Sequence, residues 1–322
     1  MIDVIIAAYN AHNTLGKALD SILMQSISDK IKVYIVDDKS DKNYNEIVKQ
    51  YSKYLNITEL TYDENMGPGF ARNYGLDHSD SEYVMFLDSD DIFFSHYSIE
   101  ILYEKIKSNN LDLVIGNFVE EVAECKYIPH FKDTIWDHGK IYRRKYLDEN
   151  NIRFTNERSN EDLYFNFLTV YTGAKYEFID AVTYIWQNNR QSITRKNDHE
   201  FNHSGIDGYI RNIYNLSVAL EERKISKSTV ARILFFGMLQ MYYTYIMFDK
   251  NNDKSSIDIL MNATKNIAKR YSDFEKHLTD EDKNELLRKE LEKYMNTRNL
   301  HLVVLNDKSF RDFVKEVSTY EK

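Results

Sequence analysis

Short apolar runs alternate with amphipathic segments through the first 115 residues, and no other feature constrains the fold as much. Residues 2–7, 31–36, 57–62, 83–87 and 111–115 read as strands, each brief and rich in Ile, Val, Leu or aromatic side chains. Residues 13–25, 44–54, 70–76 and 97–107 read as helices; in the first of them Leu15, Ala18, Leu19, Ile22 and Leu23 fall on one face. Strands alternating with such helices predict an α/β fold, a doubly wound and mostly parallel sheet with helices on both faces. Right-handed crossovers then bring the strand C-termini to one edge, where such sheets bind ligands. Chemically unusual residues are expected just after strands, and in the sequence they stand there.

Beyond residue 200 the alternation stops. Residues 205–222, 226–248, 255–271 and 280–297 read as helices, 300–305 as a short strand and 310–317 as a last helix. The expectation is a domain over 1–200 with a helical C-terminal appendage over 201–322. The longest apolar stretch, 233–248, falls short of the roughly 20 residues that span a bilayer, so a buried or oligomer-forming helix is expected, with a membrane-surface helix as the alternative. No transmembrane segment and no secretory signal are expected. A net charge of −9 argues against nucleic-acid binding, which demands a basic footprint. The single cysteine, Cys125, excludes an intramolecular disulfide and a Cys-rich metal site, and a reducing cytoplasm fits it. The 25 tyrosines either suit nucleoside and sugar surfaces or reflect compositional bias.

Four strand ends carry the chemistry. Phe86-Leu87-Asp88-Ser89-Asp90-Asp91 crowds three carboxylates into one turn. A divalent cation such as Mg²⁺ or Mn²⁺ relieves their repulsion; the alternative is a solvated acidic loop whose Asp91 caps the next helix. Tyr9-Asn10 follows the first strand and offers a ring to a nucleobase. Asp38, in Val36-Asp37-Asp38-Lys39-Ser40, can accept from the imide N–H of uracil, which hints at a uridine or thymidine ligand. In Asn65-Met66-Gly67-Pro68-Gly69-Phe70-Ala71-Arg72-Asn73-Tyr74-Gly75 the glycines permit close backbone approach. Arg72 there reads as a base or phosphate contact, or as a structural arginine facing solvent.

Together these segments resemble the family 2 glycosyltransferases of the GT-A fold, in a bacterial or phage form. Val4 to Asn10, Val36 to Ser40, Gly67 to Gly75 and Leu87 to Asp91 match in order and spacing. So do Gly139-Lys140-Ile141-Tyr142-Arg143-Arg144, Asn150 to Phe154 and Asn160-Glu161-Asp162-Leu163-Tyr164-Phe165. The likeness covers roughly residues 1–195 and leaves the helical tail outside. It implies a nucleotide-sugar-binding part over about 1–115 and an acceptor-side part over about 116–200.

The resemblance implies an inverting, metal-dependent transfer of a sugar from a UDP-sugar to a hydroxyl acceptor, with Asp162 as general base. By it, Ala7, Tyr9, Asp38, Gly67, Arg72, Asp88 and Ser89 lie along the donor. Asp90 is the principal ligand of Mn²⁺ or Mg²⁺, with Asp88 secondary and His199 or His203 completing the shell. Arg190 and Ser192 are candidate phosphate contacts, because Gln187 stands where relatives carry a basic residue. Ala7 replaces a frequent Pro. Glu161 and the basic run Arg143-Arg144-Lys145 are candidates for the acceptor side, a glycan, a polyol phosphate such as a teichoic acid, or a lipid-linked saccharide; a solvated helix face is the alternative for the basic run. A cytoplasmic enzyme is expected, at the inner face of the membrane where its acceptor demands peripheral contact, with the tail mediating homo-oligomerisation or acceptor placement. A dehydrogenase or nucleotidyltransferase is disfavoured by the missing Gly-x-Gly-x-x-Gly and Walker lysine. A non-catalytic nucleotide-sugar-binding or assembly protein remains the alternative.

Overall fold

The computed structural model describes residues 1–189, 199–286 and 307–320, with the side chains of 199–204 and 307–308 excepted. The chain forms two units, Met1–Lys196 and Asn197–Lys322.

The first unit runs β1 (Ile2–Ala8), α1 (Leu15–Leu23), β2 (Ile31–Asp37), α2 (Asn45–Tyr51), β3 (Asn56–Thr61), α3 (Pro68–Asp77) and β4 (Tyr83–Phe86). It continues with β5 (Ile92–Phe93), α4 (Ser98–Ser108), β6 (Leu113–Ala123), β7 (Lys126–His130), β8 (Lys140–Arg143), α5 (Arg144–Glu149), α6 (Glu161–Tyr171) and β9 (Tyr176–Trp186). All strands join one sheet in the order β3-β2-β1-β4-β8-β6-β9-β5, with β7 on β6. Strands β3, β2, β1 and β4 are mutually parallel, as the alternation predicts. β8 then enters antiparallel between β4 and β6, so β6 and its parallel neighbour β9 again point with β1. The sheet is therefore mixed in its second half, though its principal strands share one direction.

Burial explains the apolar runs. β1 is covered on both faces, which is why Ile2, Val4, Ile5 and Ile6 show no polar alternation. Leu15, Leu19 and Ile22 of α1 and Ile99 and Leu102 of α4 pack into the same core as Val33 and Ile35 of β2. Fully burying such a side chain contributes about 1.5–3 kcal/mol. The shared direction sets the C-terminal ends of β1, β2 and β4 side by side, with Ala8 opposite Asp37 and Ile5 opposite Phe86.

The basic run lies at the other edge. Arg143 pairs with Tyr83 at the start of β4, and the Arg144 amide donates to the Glu82 carbonyl. The Arg144 guanidinium is buried and donates to Asp3 at 2.9 Å, the Ser81 carbonyl at 2.7 Å and the Leu76 carbonyl at 2.8 Å. Arg143 bonds Glu82, Asn110 and the Leu111 carbonyl and lies over the Tyr83 ring. Both guanidiniums, named as acceptor-side candidates, tie the far edge of the sheet together. Arg144→Met would strand the Asp3 carboxylate in the core, and breaking a buried pair this way costs about 3–5 kcal/mol. A lowered midpoint in denaturant unfolding is the expected result.

The second unit contains α7 (His199–Glu222), α8 (Lys227–Lys250), α9 (Lys254–Phe274) and a last helix, Asp307–Thr319. Ser226 and Asp253 cap α8 and α9, accepting from the amides of Thr229 and Ser256. The apolar stretch expected to be a buried helix lies inside α8, where Leu234, Met238, Leu239 and Tyr242 are buried. Among the described residues no helix is long and apolar enough to cross a membrane. Residues 280–286 are helical, and the remainder of that expected helix and the strand at 300–305 fall outside the described residues.

Candidate active site

At the C-terminal edge of the parallel strands the loops after β1 and β2 are tied together. Asn10, with φ of 51°, donates from Nδ2 to the Asp41 carboxylate and accepts from the Asp41 amide, and its own amide donates to Ser40 Oγ at 2.9 Å. This leaves the preceding Tyr9 ring 53% exposed at the sheet edge, open to a stacking base. Ala7 is half-buried opposite Val36. Asp38 is only 4% exposed, and its carboxylate accepts from Tyr62 Oη at 2.8 Å, the Met66 amide at 2.7 Å and the Gly67 amide at 2.9 Å. Three of its roughly four acceptor positions are thereby filled. Asp38 fixes the loop before α3 and retains one lone pair for a ligand. Gly67 takes φ of +90°, and a Cβ on Gly69 would meet the Thr155 carbonyl at 2.3 Å, so these two glycines let the start of α3 abut the 154–155 segment.

The acidic turn follows β4. The Asp91 amide donates to the Asp88 carbonyl at 3.0 Å, which closes the turn around half-buried Ser89 and Asp90. Each carboxylate is held differently. Asp91 is buried and accepts from Tyr184 Oη and the Gln187 amide, both at 2.8 Å. Asp90 accepts from Asn189 Nδ2 at 2.9 Å. Asp88 accepts from Arg72 at 2.6 Å. Burial opposes the charge on Asp88, but Arg72 and His138 outweigh it and hold its carboxyl below the usual range. Burial first, then the neighbouring carboxylates, push Asp90 and Asp91 up.

His138, in the loop before β8, completes this cluster. Its Nε2 lies 3.7 Å from Asp88 Oδ2 and 3.8 Å from Asp91 Oδ2, and its Nδ1 is buried without a hydrogen-bond partner. Among the described residues Asp88, Asp91 and His138 are the group whose ligand atoms converge, all within 4.8 Å of one another. Asp90, expected as principal ligand, lies outside this trio. Two carboxylates and an imidazole form a donor set that suits Mn²⁺. The side chains of His199 and His203, and Arg190 and Ser192 entirely, lie outside the described residues.

Arg72 joins the two halves. It is 6% exposed, with Nη2 on Asp88 and Nη1 on Glu161, each at 2.6 Å, and Nε 3.5 Å from Asp137. Its guanidinium also lies over the Phe154 ring at 5.4 Å. The sequence reading makes Arg72 a nucleotide contact; in the structure both ends of its fork are occupied by carboxylates. It is a tie between the acidic turn and α6. Glu161, expected at the acceptor, is its buried partner.

Asp162 stands in the first turn of α6, where acids suit the helix dipole. It is 9% exposed, and its Oδ1 accepts from the Leu163 amide at 2.8 Å. Burial, then Glu161 and Asp137, raise its pKa well above the ordinary carboxylate value. Buried Asn166 donates to the Asp162 carbonyl at 3.0 Å and to Asp137 at 2.8 Å, and accepts from Tyr142 at 2.7 Å. Asp137 and His138 are the functional residues the sequence reading missed. The matched segment began at Gly139, two residues too late to include both, and an Asp-His pair just before an apolar run was the available signal.

A family model, Glycosyl transferase family 2, matches residues 3–161. Glycosyltransferase GlyA of Streptococcus pneumoniae is 27% identical over 234 residues, 64% of this chain but only 33% of that protein. The poly(ribitol-phosphate) beta-N-acetylglucosaminyltransferase TarP of Staphylococcus aureus is 27% identical over 308 residues, 86% of this chain and 91% of TarP. In fold the chain is similar to S. aureus TarS 1-349 in complex with UDP-GlcNAc, with a TM-score of 0.72 at 18% identity over 95% of this chain and 94% of that one. The family match and the likeness in fold together place residues 3–161 in glycosyl transferase family 2, with the GT-A fold in the first unit.

Proposed function

We propose that the chain transfers a sugar from a UDP-sugar to a hydroxyl group of a cell-surface glycan acceptor, with inversion at the anomeric carbon. The observation that carries this reading is the Asp88–Arg72–Glu161 chain of ion pairs, which ties the acidic turn to the start of α6, where Asp162 stands. Tyr9 offers its exposed ring to the uracil, and Asp38 keeps one lone pair for the imide N–H. The acceptor oxygen attacks the anomeric carbon, the bond to the diphosphate oxygen breaks, and the acceptor proton passes to Asp162. Asp88, Asp91 and His138 are the residues that would hold a divalent cation. Bound there, that cation would offset negative charge on the departing diphosphate. Arg72 keeps Glu161 and Asp88 in register while charge shifts between the two halves. A UDP-sugar donor implies a cytoplasmic reaction.

Candidate acceptors are a polyol phosphate polymer, as in the name of TarP, and other surface glycans. The test is a panel of UDP-sugars with Mn²⁺, following UDP release and stabilisation against heat. Release that depends on both one UDP-sugar and an acceptor is expected; a protein that neither binds UDP nor turns over any member would overturn the proposal.

A further inference from the structure

We propose that Arg158 is a positioning residue for donor recognition: working through Asn65, it holds the loop that aims the Asp38 carboxylate at a uracil. The inference rests on the UDP-sugar reading above and deepens it. Residues 63–66, between β3 and α3, make no backbone–backbone hydrogen bond with the described residues. Their shape therefore comes from side chains that bond them. Asp38 supplies one set of ties, through the Met66 and Gly67 amides. Arg158 supplies the other: its Nη1 donates to Asn65 Oδ1 at 2.7 Å and its Nη2 to the Asn65 carbonyl at 3.0 Å.

That fork also sets the Asn65 amide. A guanidinium only donates, so the amide oxygen faces it and the amide NH₂ faces away. The NH₂ group then donates to the Asp38 carbonyl at 2.9 Å. Bonds thus run without a break from Arg158 through Asn65 to the backbone of Asp38, whose carboxylate accepts from the next two residues of the same loop. Arg158 is itself a fixed point. It lies on a segment pinned on either side of it: Asn73 bonds the Phe154 amide and carbonyl, each at 2.9 Å, and Glu161 bonds Arg72 at 2.6 Å. Its aliphatic stem packs on the turn, since a Cβ on Gly67 would meet Arg158 Cγ at 3.5 Å.

Arg158 is exposed, and among the described residues no carboxylate lies within ion-pair distance of it, although Asp63 and Glu64 stand beside Asn65 in sequence. An arginine that gives both arms of its fork to the two oxygens of one neutral residue serves geometry rather than charge balance. Geometry is what selection of the base needs. Uracil presents an imide N–H where cytosine presents a bare ring nitrogen, so a carboxylate held in place attracts one and repels the other. Asp38 has one lone pair open for that contact, and a loosened loop blunts the attraction and the repulsion together.

Calorimetric titrations with UDP and with CDP, Mn²⁺ present throughout, test this. The wild-type protein is expected to prefer UDP. Arg158→Met keeps the stem on Gly67 and removes the fork; it should weaken UDP binding about tenfold and CDP binding little, so that the ratio narrows. The thermal midpoint of the free protein should stay in place, and in turnover the loss should fall on the donor KM rather than on kcat. Arg158→Lys keeps the charge without the two-oxygen grip and should resemble Arg158→Met. In an Asn65→Ala background, Arg158→Met should cost nothing further. An unchanged ratio of UDP to CDP affinity in Arg158→Met would overturn the positioning role. Wild-type affinity in Arg158→Lys, or a full second loss in the Asn65→Ala background, would overturn it too, in favour of simple charge or direct contact. A wild-type protein that binds UDP no better than CDP is a separate result; it would remove the uridine reading, and this inference with it.

Discussion

Asp162→Asn is expected to lower the rate of sugar transfer by about 10²–10⁴-fold, the range a positioned general base supplies. UDP affinity should remain unchanged, because the donor side of the site is built from other elements. The substitution is nearly isosteric, and an amide oxygen still accepts from the Leu163 amide that now bonds the carboxylate. What it loses is the capacity to take a proton. Steady-state rates together with calorimetric UDP binding check this, and wild-type turnover in the variant would refute the assignment.

The environment of Asp162 adds a pH signature. Its carboxyl is pushed up by burial, then by Glu161 and Asp137. A base must be ionised to act, so the rate should fall on the acid side at a pH well above that of an ordinary carboxylate and recover as pH rises. Glu161→Gln removes a negative neighbour and releases Arg72 from one of its partners. Both changes favour the ionised form of Asp162, so the acid limb should move to lower pH. A limb that stayed in place, measured as kcat against pH, would mean that another group titrates.

The parallel half of the sheet was legible because local pattern and topology agree there. Each apolar run buried on two faces is a strand, each strand points the same way, and Tyr9, Asp38 and Asp88 follow β1, β2 and β4 at one edge. The rule does not extend to the second half. β8 runs antiparallel to β4, so residues that follow it, Arg143 at its end and Arg144 next, reach the far edge. Residues that precede it, Asp137 and His138, arrive at the site instead. Strand direction is a property of pairing between distant segments, and local periodicity does not carry it. Arg72 shows another limit: its three carboxylate neighbours come from residues 88, 137 and 161, far apart in sequence. A lone arginine after a glycine turn reads the same whether it faces a nucleotide or a cage of acids.

Donor affinity should respond most to Asp88→Asn. Asp88 is the one residue shared by the resemblance, which pairs it with Asp90, and by the geometry, which groups it with Asp91 and His138. Its carboxylate is also the one held ionised, by Arg72 and His138 against burial, and so is ready to bind a cation. Removing that charge is expected to weaken Mn²⁺-dependent UDP binding about 100-fold, and a chelator should do the same to the wild-type protein. The remaining ligands are separated by metal preference. An imidazole favours Mn²⁺ over Mg²⁺, whereas an amide oxygen does not. His138→Gln should therefore narrow the ratio of Mn²⁺ to Mg²⁺ affinity, and Asp90→Asn should leave that ratio in place while relaxing the turn that Asn189 holds. An unchanged ratio in His138→Gln, with metal binding lost in Asp90→Asn, would move the cation from the buried trio to the half-exposed carboxylate beside it.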